Sequence, residues 1–244
     1  NYSWFNLGGP AKVVFKPKNL NELSTFLKSI KGFDKIKILG AGSNTLIRDG
    51  GYNGIIIKFD KSFSHLSLFN ENTLVAGAST LDKDVSNFAL NNEIKGFEFL
   101  SCIPGTIGGA VKMNSGCYNE EIANILVSLQ AIDFNGNLKI IPSSEINFHY
   151  RGSNLPEDLI FISATFKTIK SSKSYIVKKL NNLVIRKKLT QPSKIKTCGS
   201  TFKNTNKEKA WKLIKLAKCE KMTEGNASIS NKHCNFFVNK GGAT

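Results

Sequence analysis

One segment constrains this chain more than any other. Ser101-Cys102-Ile103-Pro104-Gly105-Thr106-Ile107-Gly108-Gly109-Ala110 is rich in glycine, yet apolar residues flank it: Phe97, Phe99 and Leu100 before it, Val111 after it. A surface loop seldom sits inside such an apolar stretch, so the fold has to carry this loop against a core. Gly108-Gly109 leaves main chain without side chains, which a planar or phosphorylated ligand can approach closely. Thr106 adds a hydrogen-bonding group, as does Asn114 in Asn114-Ser115-Gly116.

A second glycine segment lies earlier. Lys35 to Leu39 alternates as a strand does, and Gly40-Ala41-Gly42-Ser43-Asn44 follows as a turn. The third glycine of a dinucleotide fingerprint is missing, with Thr45 in its place, and no helix start follows. A glycine turn can still gather backbone N–H groups around an anion. Taken alone, it reads more readily as a structural turn than as a phosphate loop. Paired with the second segment in a separate strand-rich unit, it suggests a long ligand with a diphosphate centre.

The surrounding pattern is α+β. Leu23, Phe26, Leu27 and Ile30 have helical spacing within 21–30, and 54–59 is a β-rich apolar run. Residues 72–78 read as a strand, after which Thr80 is expected to cap a helix presenting Leu81, Val85, Phe88 and Ala89. Residues 126–134 and 138–141 flank Asn135-Gly136, a hairpin signal in which both turn residues would adopt positive φ. Residues 159–169 are a further strand, and the polar stretch 170–174 marks a boundary. Beyond it Ile176, Leu180, Leu183 and Val184 form a helical stripe, 211–217 a short helix and 235–239 a strand. This predicts a first domain over 1–170, in two parts of about 1–60 and 61–170, and a second over 171–244.

Composition narrows the function. In 244 residues, 41% are hydrophobic, as in ordinary globular chains, and no apolar run is long enough to span a bilayer. Five cysteines, Cys102, Cys117, Cys198, Cys219 and Cys234, are odd in number and widely spaced. That pattern fits free thiols in a reducing, cytoplasmic setting and lacks the close ligand pairs of a zinc site. The net charge of +16 raises nucleic acid as a partner. Against this, the lysines are scattered and only three arginines occur: Arg48, Arg151 and Arg186. A solvated surface that also concentrates anionic substrates fits better. The start at Asn1 rather than Met, with no signal pattern in 1–10, implies a fragment of a longer chain and leaves a lost signal open.

Further motifs complete an ordered set. Besides the two glycine segments, the chain carries Gly8-Gly9-Pro10-Ala11, Tyr150-Arg151-x-Ser153, Gly199-Ser200-x-Phe202-Lys203-Asn204 and Ser230-x-x-His233-x-Asn235-Phe236-x-Val238-Asn239. Their order over almost the whole chain closely resembles the UDP-N-acetylenolpyruvoylglucosamine reductase (MurB) family. The short interval from Arg151 to Ser200 resembles the branch without an extra tyrosine-bearing substrate loop.

The resemblance implies an FAD-binding fold of the vanillyl-alcohol-oxidase (PCMH) type, made of two strand-rich subdomains, plus a mixed α/β substrate domain. It implies FAD against Gly40, Ala41, Gly42, Ser43 and Asn44 in the first segment. In the second, the FAD positions are Ser101, Ile103, Pro104, Gly105, Thr106, Gly108 and Gly109, with Asn114 and Gly116. NADPH would reduce the FAD and leave, and hydride would then pass to the enolpyruvyl ether of a UDP-sugar. Arg151 would bind the substrate carboxylate and Ser200 would donate the proton. Tyr150, Lys203 and Asn204 would lie near the substrate, although Tyr150 also fits core packing and the other two fit solvated positions. His233 is expected to pack the closing strand, without a catalytic part.

A monomer is expected, with neither nucleic acid nor membrane as partner. Another FAD-dependent oxidoreductase of the same fold is the alternative, and a basic nucleic-acid-binding protein a remoter one. The chain departs from the family at Thr205, usually proline, and at Lys218, often glycine. A family glutamate near the C-terminus that assists the enolpyruvyl carboxylate would fall beyond Thr244.

Overall fold

The structure is a computed structural model that describes residues 2–30, 35–193 and 195–244. Its elements are β1 (Ala11–Phe15), α1 (Leu20–Ser29), β2 (Ile36–Ile38), β3 (Tyr52–Ile57), β4 (Leu66–Leu68), β5 (Thr73–Gly77), α2 (Asp82–Asn91), β6 (Ile94–Lys95), α3 (Ile107–Lys112), β7 (Gly116–Cys117) and β8 (Glu120–Glu121). There follow β9 (Leu126–Asp133), β10 (Leu138–Pro142), β11 (Phe148–His149), β12 (Gly152–Ser153), β13 (Leu159–Lys167), β14 (Ile169–Lys170), α4 (Lys173–Thr190), α5 (Ala210–Leu216), β15 (Thr223–Glu224), β16 (Ala227–Ile229) and β17 (Phe237–Asn239). They form two compact units. The larger holds 13–40 and 54–184; the smaller gathers 1–12, 41–53 and 185–244.

The larger unit is built around β13. Its sequence, Leu-Ile-Phe-Ile-Ser-Ala-Thr-Phe-Lys, is almost continuously apolar, the mark of a strand covered on both faces. Ile160 and Ile162 join Leu23, Leu27, Ile36, Ile55 and Ile57 in one cluster. Phe161, Ala164 and Phe166 join Leu74, Val85, Phe97, Phe99 and Val111 in another. The strand is central in a five-stranded antiparallel sheet of order β10-β9-β13-β5-β4, beside a three-stranded sheet of order β1-β3-β2 in which β2 and β3 run parallel. Helix α1 begins where the Asn19 side chain accepts the Glu22 N–H, and it buries Leu23 and Leu27 at the predicted spacing. The buried Glu98 carboxylate accepts the Gly96 N–H at 2.9 Å and pairs with Lys179 at 3.4 Å, which ties α4 to this unit.

Three local expectations need correction. Thr80 does not cap α2: its hydroxyl donates to the His65 carbonyl at 3.1 Å, and Leu81, exposed rather than on the apolar face, takes the cap position without a side-chain bond. The hairpin at Asn135-Gly136 exists, but only Gly136 has positive φ, at 81°. Its three-residue loop is Phe134-Asn135-Gly136, closed by Gly136 N–H to Asp133 O at 2.9 Å and Asp133 N–H to Asn137 O at 3.0 Å. Asp133 organises this loop by accepting the N–H groups of Asn135 and Asn137. A two-residue turn with both φ values positive occurs instead at Tyr118-Asn119, between β7 and β8. Finally, the last four residues of the second glycine segment, Ile107 to Ala110, are helix, α3, rather than loop.

In the smaller unit, α5 ends in a Schellman arrangement: Cys219 N–H bonds Ile214 O at 3.0 Å, with Lys218 at φ 56°. Lys218 therefore stands in a backbone conformation that glycine adopts more easily. Strands β15-β16-β17 form an antiparallel sheet, and Asn239 in β17 donates from Nδ2 to the carbonyls of Phe5 (3.0 Å) and Asn6 (3.3 Å).

Candidate active site

In the larger unit, Gly40, which opens the first glycine segment, meets the second segment. A Cβ on Gly40 would sit 2.7 Å from Thr106 Oγ1, so the bare main chain after β2 lies against the hydroxyl that precedes α3. The Lys58 ammonium donates to the Gly40 carbonyl at 2.7 Å, a cation beside the first segment that sequence reading missed. The two glycines of α3 differ in use. Gly108 faces Ala78, whose Cβ would lie 3.2 Å from an added Cβ, so it allows helix and strand to pack closely. Gly109 is exposed, and an added Cβ would meet only Thr106 Oγ1 at 3.9 Å. Open main chain on one side and tight packing on the other form a cradle for a flat or phosphorylated group, and these residues fit FAD on that ground.

Other predicted positions have local partners. Ser101 Oγ donates to Glu98 O at 2.7 Å, and Asn114 Oδ1 accepts Ala123 N–H at 3.0 Å. Gly116 lies so close to β8 that a Cβ would meet Glu120 O at 2.3 Å. Ile103 packs on the core, while Pro104 is exposed. Tyr150-Arg151 is the two-residue turn between β11 and β12, with Arg151 at φ 59° and its guanidinium 5.5 Å from the Tyr150 ring centroid. Tyr150 is exposed, which rules out core packing for it. A bulky residue in left-handed backbone is uncommon, and such strain gathers at functional positions.

In the smaller unit, Ala41 and Ser43 are half-buried, Asn44 is exposed, and Gly42 is buried with φ 72°. A Cβ on Gly42 would lie 2.1 Å from Tyr2 O, so this glycine makes room for the main chain at Tyr2. Ser200 is half-buried and pairs with Phe236 in an isolated antiparallel bridge. Buried Asn235 clamps the segment: its Oδ1 accepts Phe202 N–H, its Nδ2 donates to Phe202 O, both at 2.9 Å, and its carbonyl accepts Thr201 N–H at 2.9 Å. Sequence reading placed Asn235 in a motif without giving it this part. Gly199, at φ 83°, turns the chain into Ser200. Asn204 Oδ1 accepts the Ala210 N–H that opens α5, and Lys203 is exposed. His233 packs edge-on to Phe236 and accepts the Asn235 N–H at Nδ1, and burial pushes its pKa down.

Comparison with known proteins bears on the whole chain. Residues 11–141 match the FAD binding domain family model, and 191–244 match the model for the UDP-N-acetylenolpyruvoylglucosamine reductase C-terminal domain. A UDP-N-acetylenolpyruvoylglucosamine reductase of Pelagibacter ubique (strain HTCC1062) is 53% identical over 245 residues, covering 99% of this chain and 81% of that protein. The chain belongs to the UDP-N-acetylenolpyruvoylglucosamine reductase (MurB) family. Another relative of that name, from Rickettsia akari (strain Hartford), is 44% identical over 99% of this chain and 82% of its own length. The crystal structure of the MurB of Thermus caldophilus superposes with a TM-score of 0.89 at 30% identity, covering 99% of this chain and 86% of that one. The fold is thus the PCMH-type FAD-binding one with the MurB C-terminal domain, as the glycine segments and the ordered motifs implied. The C-terminal match separates the chain from other flavoenzymes of that fold.

Proposed function

We propose that this MurB-family chain reduces UDP-N-acetylglucosamine enolpyruvate to UDP-N-acetylmuramate with NADPH, a step in making peptidoglycan precursors. It is an FAD-dependent oxidoreductase, and FAD, when bound, supplies the hydride taken from NADPH. The observation that carries the reading is the junction of Gly40 with Thr106, inside a chain that matches the family from end to end. On this reading Gly40 to Asn44 and the second segment, Ser101 to Gly109 with Asn114 and Gly116, hold the flavin.

Arg151 holds the substrate carboxylate in a planar two-pronged grip that tightens as negative charge spreads into it. The Ser200 hydroxyl gives its proton to the carbon next to the carboxylate. A hydroxyl is a weak acid, so placement rather than a tuned pKa makes this transfer work. Tyr150, Lys203 and Asn204 border the sugar nucleotide. Residues 1–170 serve the flavin and 171–244 the substrate. The protein acts as a monomer in the cytoplasm, on small anionic molecules rather than nucleic acid. Its five free cysteines suit a reducing compartment, and among the described residues no helix is long and apolar enough to cross a membrane.

The test is Gly109→Asp. The open space at Gly109 lets the side chain fit without disturbing the fold, while its bulk and negative charge enter the cradle. Purified full chain should lose its flavin absorbance while keeping its circular dichroism. Flavin content equal to wild type would remove the second segment from the binding site.

A further inference from the structure

Behind the second glycine segment lies a carboxyl group with no part in the chemistry above. Asp82 is the first residue of α2 and is 0% exposed. Among the described residues neither of its carboxyl oxygens has a hydrogen-bond partner, and no cation pairs with it. The Ser86 hydroxyl, one turn along the same helix and also buried, has no partner among them either.

The backbone around Asp82 is joined to the glycine segment along its length. Asp82 N–H donates to Gly105 O at 3.1 Å, Ile107 N–H to Thr80 O at 3.0 Å and Gly108 N–H to Ala78 O at 2.9 Å, while Leu81 and Thr106 form an antiparallel bridge. The side chain then lies against the turn itself: a Cβ on Gly105 would sit 2.6 Å from Asp82 Oδ2. Gly105 does not have positive φ, so backbone conformation is not what calls for glycine here. The carboxyl group is.

A buried carboxylate without a cation or a donor is far less stable than the neutral acid. The N-terminal end of α2 favours the anion only modestly, and no N–H group bonds these oxygens to add to it. Burial accordingly pushes the Asp82 carboxyl well above its ordinary range.

The geometry points to Asp82 as a positioning residue for the flavin: its carboxyl group supports the Pro104-Gly105-Thr106 turn from beneath Gly105. The height of that turn sets where the Thr106 hydroxyl stands against Gly40. The inference rests on the reading that this segment lines FAD.

The experiment measures the FAD dissociation constant of the full chain and three variants. Asp82→Asn keeps shape and neutrality and should bind within about twofold of wild type, whereas Asp82→Ala and Gly105→Ala should each weaken binding about tenfold. Because both act on one contact, the double variant should bind no worse than the poorer single one. Infrared difference spectra of wild type against Asp82→Asn should show a protonated carboxyl C=O stretch lost in the variant. Loss of FAD in Asp82→Asn to the same degree as in Asp82→Ala, additive losses in the double variant, or no protonated carboxyl signal would each overturn the proposal. Failure of the underlying reading is told apart by Gly109→Asp, which would then keep its FAD.

Discussion

Arg151 and Ser200 reach their positions by opposite means. Arg151 sits at the tip of a two-residue turn and itself adopts left-handed backbone. Ser200 has an unstrained setting: Gly199 before it takes the positive φ, and Asn235 clamps Phe202 after it. One group is presented by local strain, the other by long-range hydrogen bonds. On the proposed function, a charged side chain that grips as charge develops tolerates a turn, because its own length corrects its aim. A hydroxyl has no such reach, so its backbone has to be fixed.

The comparison is tested most severely at the two side chains. Ser200→Ala should slow oxidation of pre-reduced enzyme by the enolpyruvyl UDP-sugar about 10²–10⁴-fold, with Ser200→Cys retaining more activity, since a thiol can also donate a proton. Stopped-flow reoxidation at the wild-type rate would exclude Ser200 as the acid. Arg151→Ala should slow the same half-reaction about 10²–10³-fold while reduction of FAD by NADPH stays nearly unchanged. An equal fall in both halves would make Arg151 a structural residue.

The supports should yield smaller effects. Asn235→Ala removes two part-buried hydrogen bonds to the Phe202 main chain and should cost about 1–3 kcal/mol in urea unfolding. It should slow substrate-driven reoxidation and spare the NADPH half. If reoxidation were untouched, the clamp would not be what places Ser200. Smallest are two mirror substitutions. Gly199→Ala meets no atom within 4 Å, so its cost is backbone strain alone, about 1–2 kcal/mol. Arg151→Gly relieves strain but gains unfolded-state freedom worth roughly 0.5–1 kcal/mol, leaving stability near wild type. A large loss of stability in Arg151→Gly would show that Arg151 holds the fold together rather than straining it.

Much of this was legible in the sequence because it is periodic. The spacing of Leu23 and Leu27, the almost continuous apolar run of β13 and the glycine after Asn135 each bias one local outcome. The Ile176 stripe of α4 also follows its spacing, though Leu180, Leu183 and Val184 are only half-buried. Features decided by distant partners were not legible. Thr80 looked like a cap, but His65 claims its hydroxyl. Gly108-Gly109 looked like loop because glycine is a poor helix former, yet contact with Ala78 settles it as helix. The turn with two positive φ values fell on Tyr118-Asn119, which carries no glycine to announce it. In the site, Gly40 and Thr106 were both named, but their contact was not foreseeable from spacing. Asp82, Lys58 and the clamping role of Asn235 gain meaning only from residues far along the chain.

The smaller unit is assembled from three separate stretches, and Asn239 holds the carbonyls of Phe5 and Asn6 across separations of 234 and 233 residues. On the ribosome, chain grows at about 5–20 residues per second, so the Phe5 and Asn6 carbonyls wait on the order of 10–50 s for Asn239. The larger unit completes its own chain first, at Val184. Synthesis therefore runs in a fixed order, in which the chain of the larger unit is finished while the Phe5 and Asn6 carbonyls still lack the side chain that later holds them.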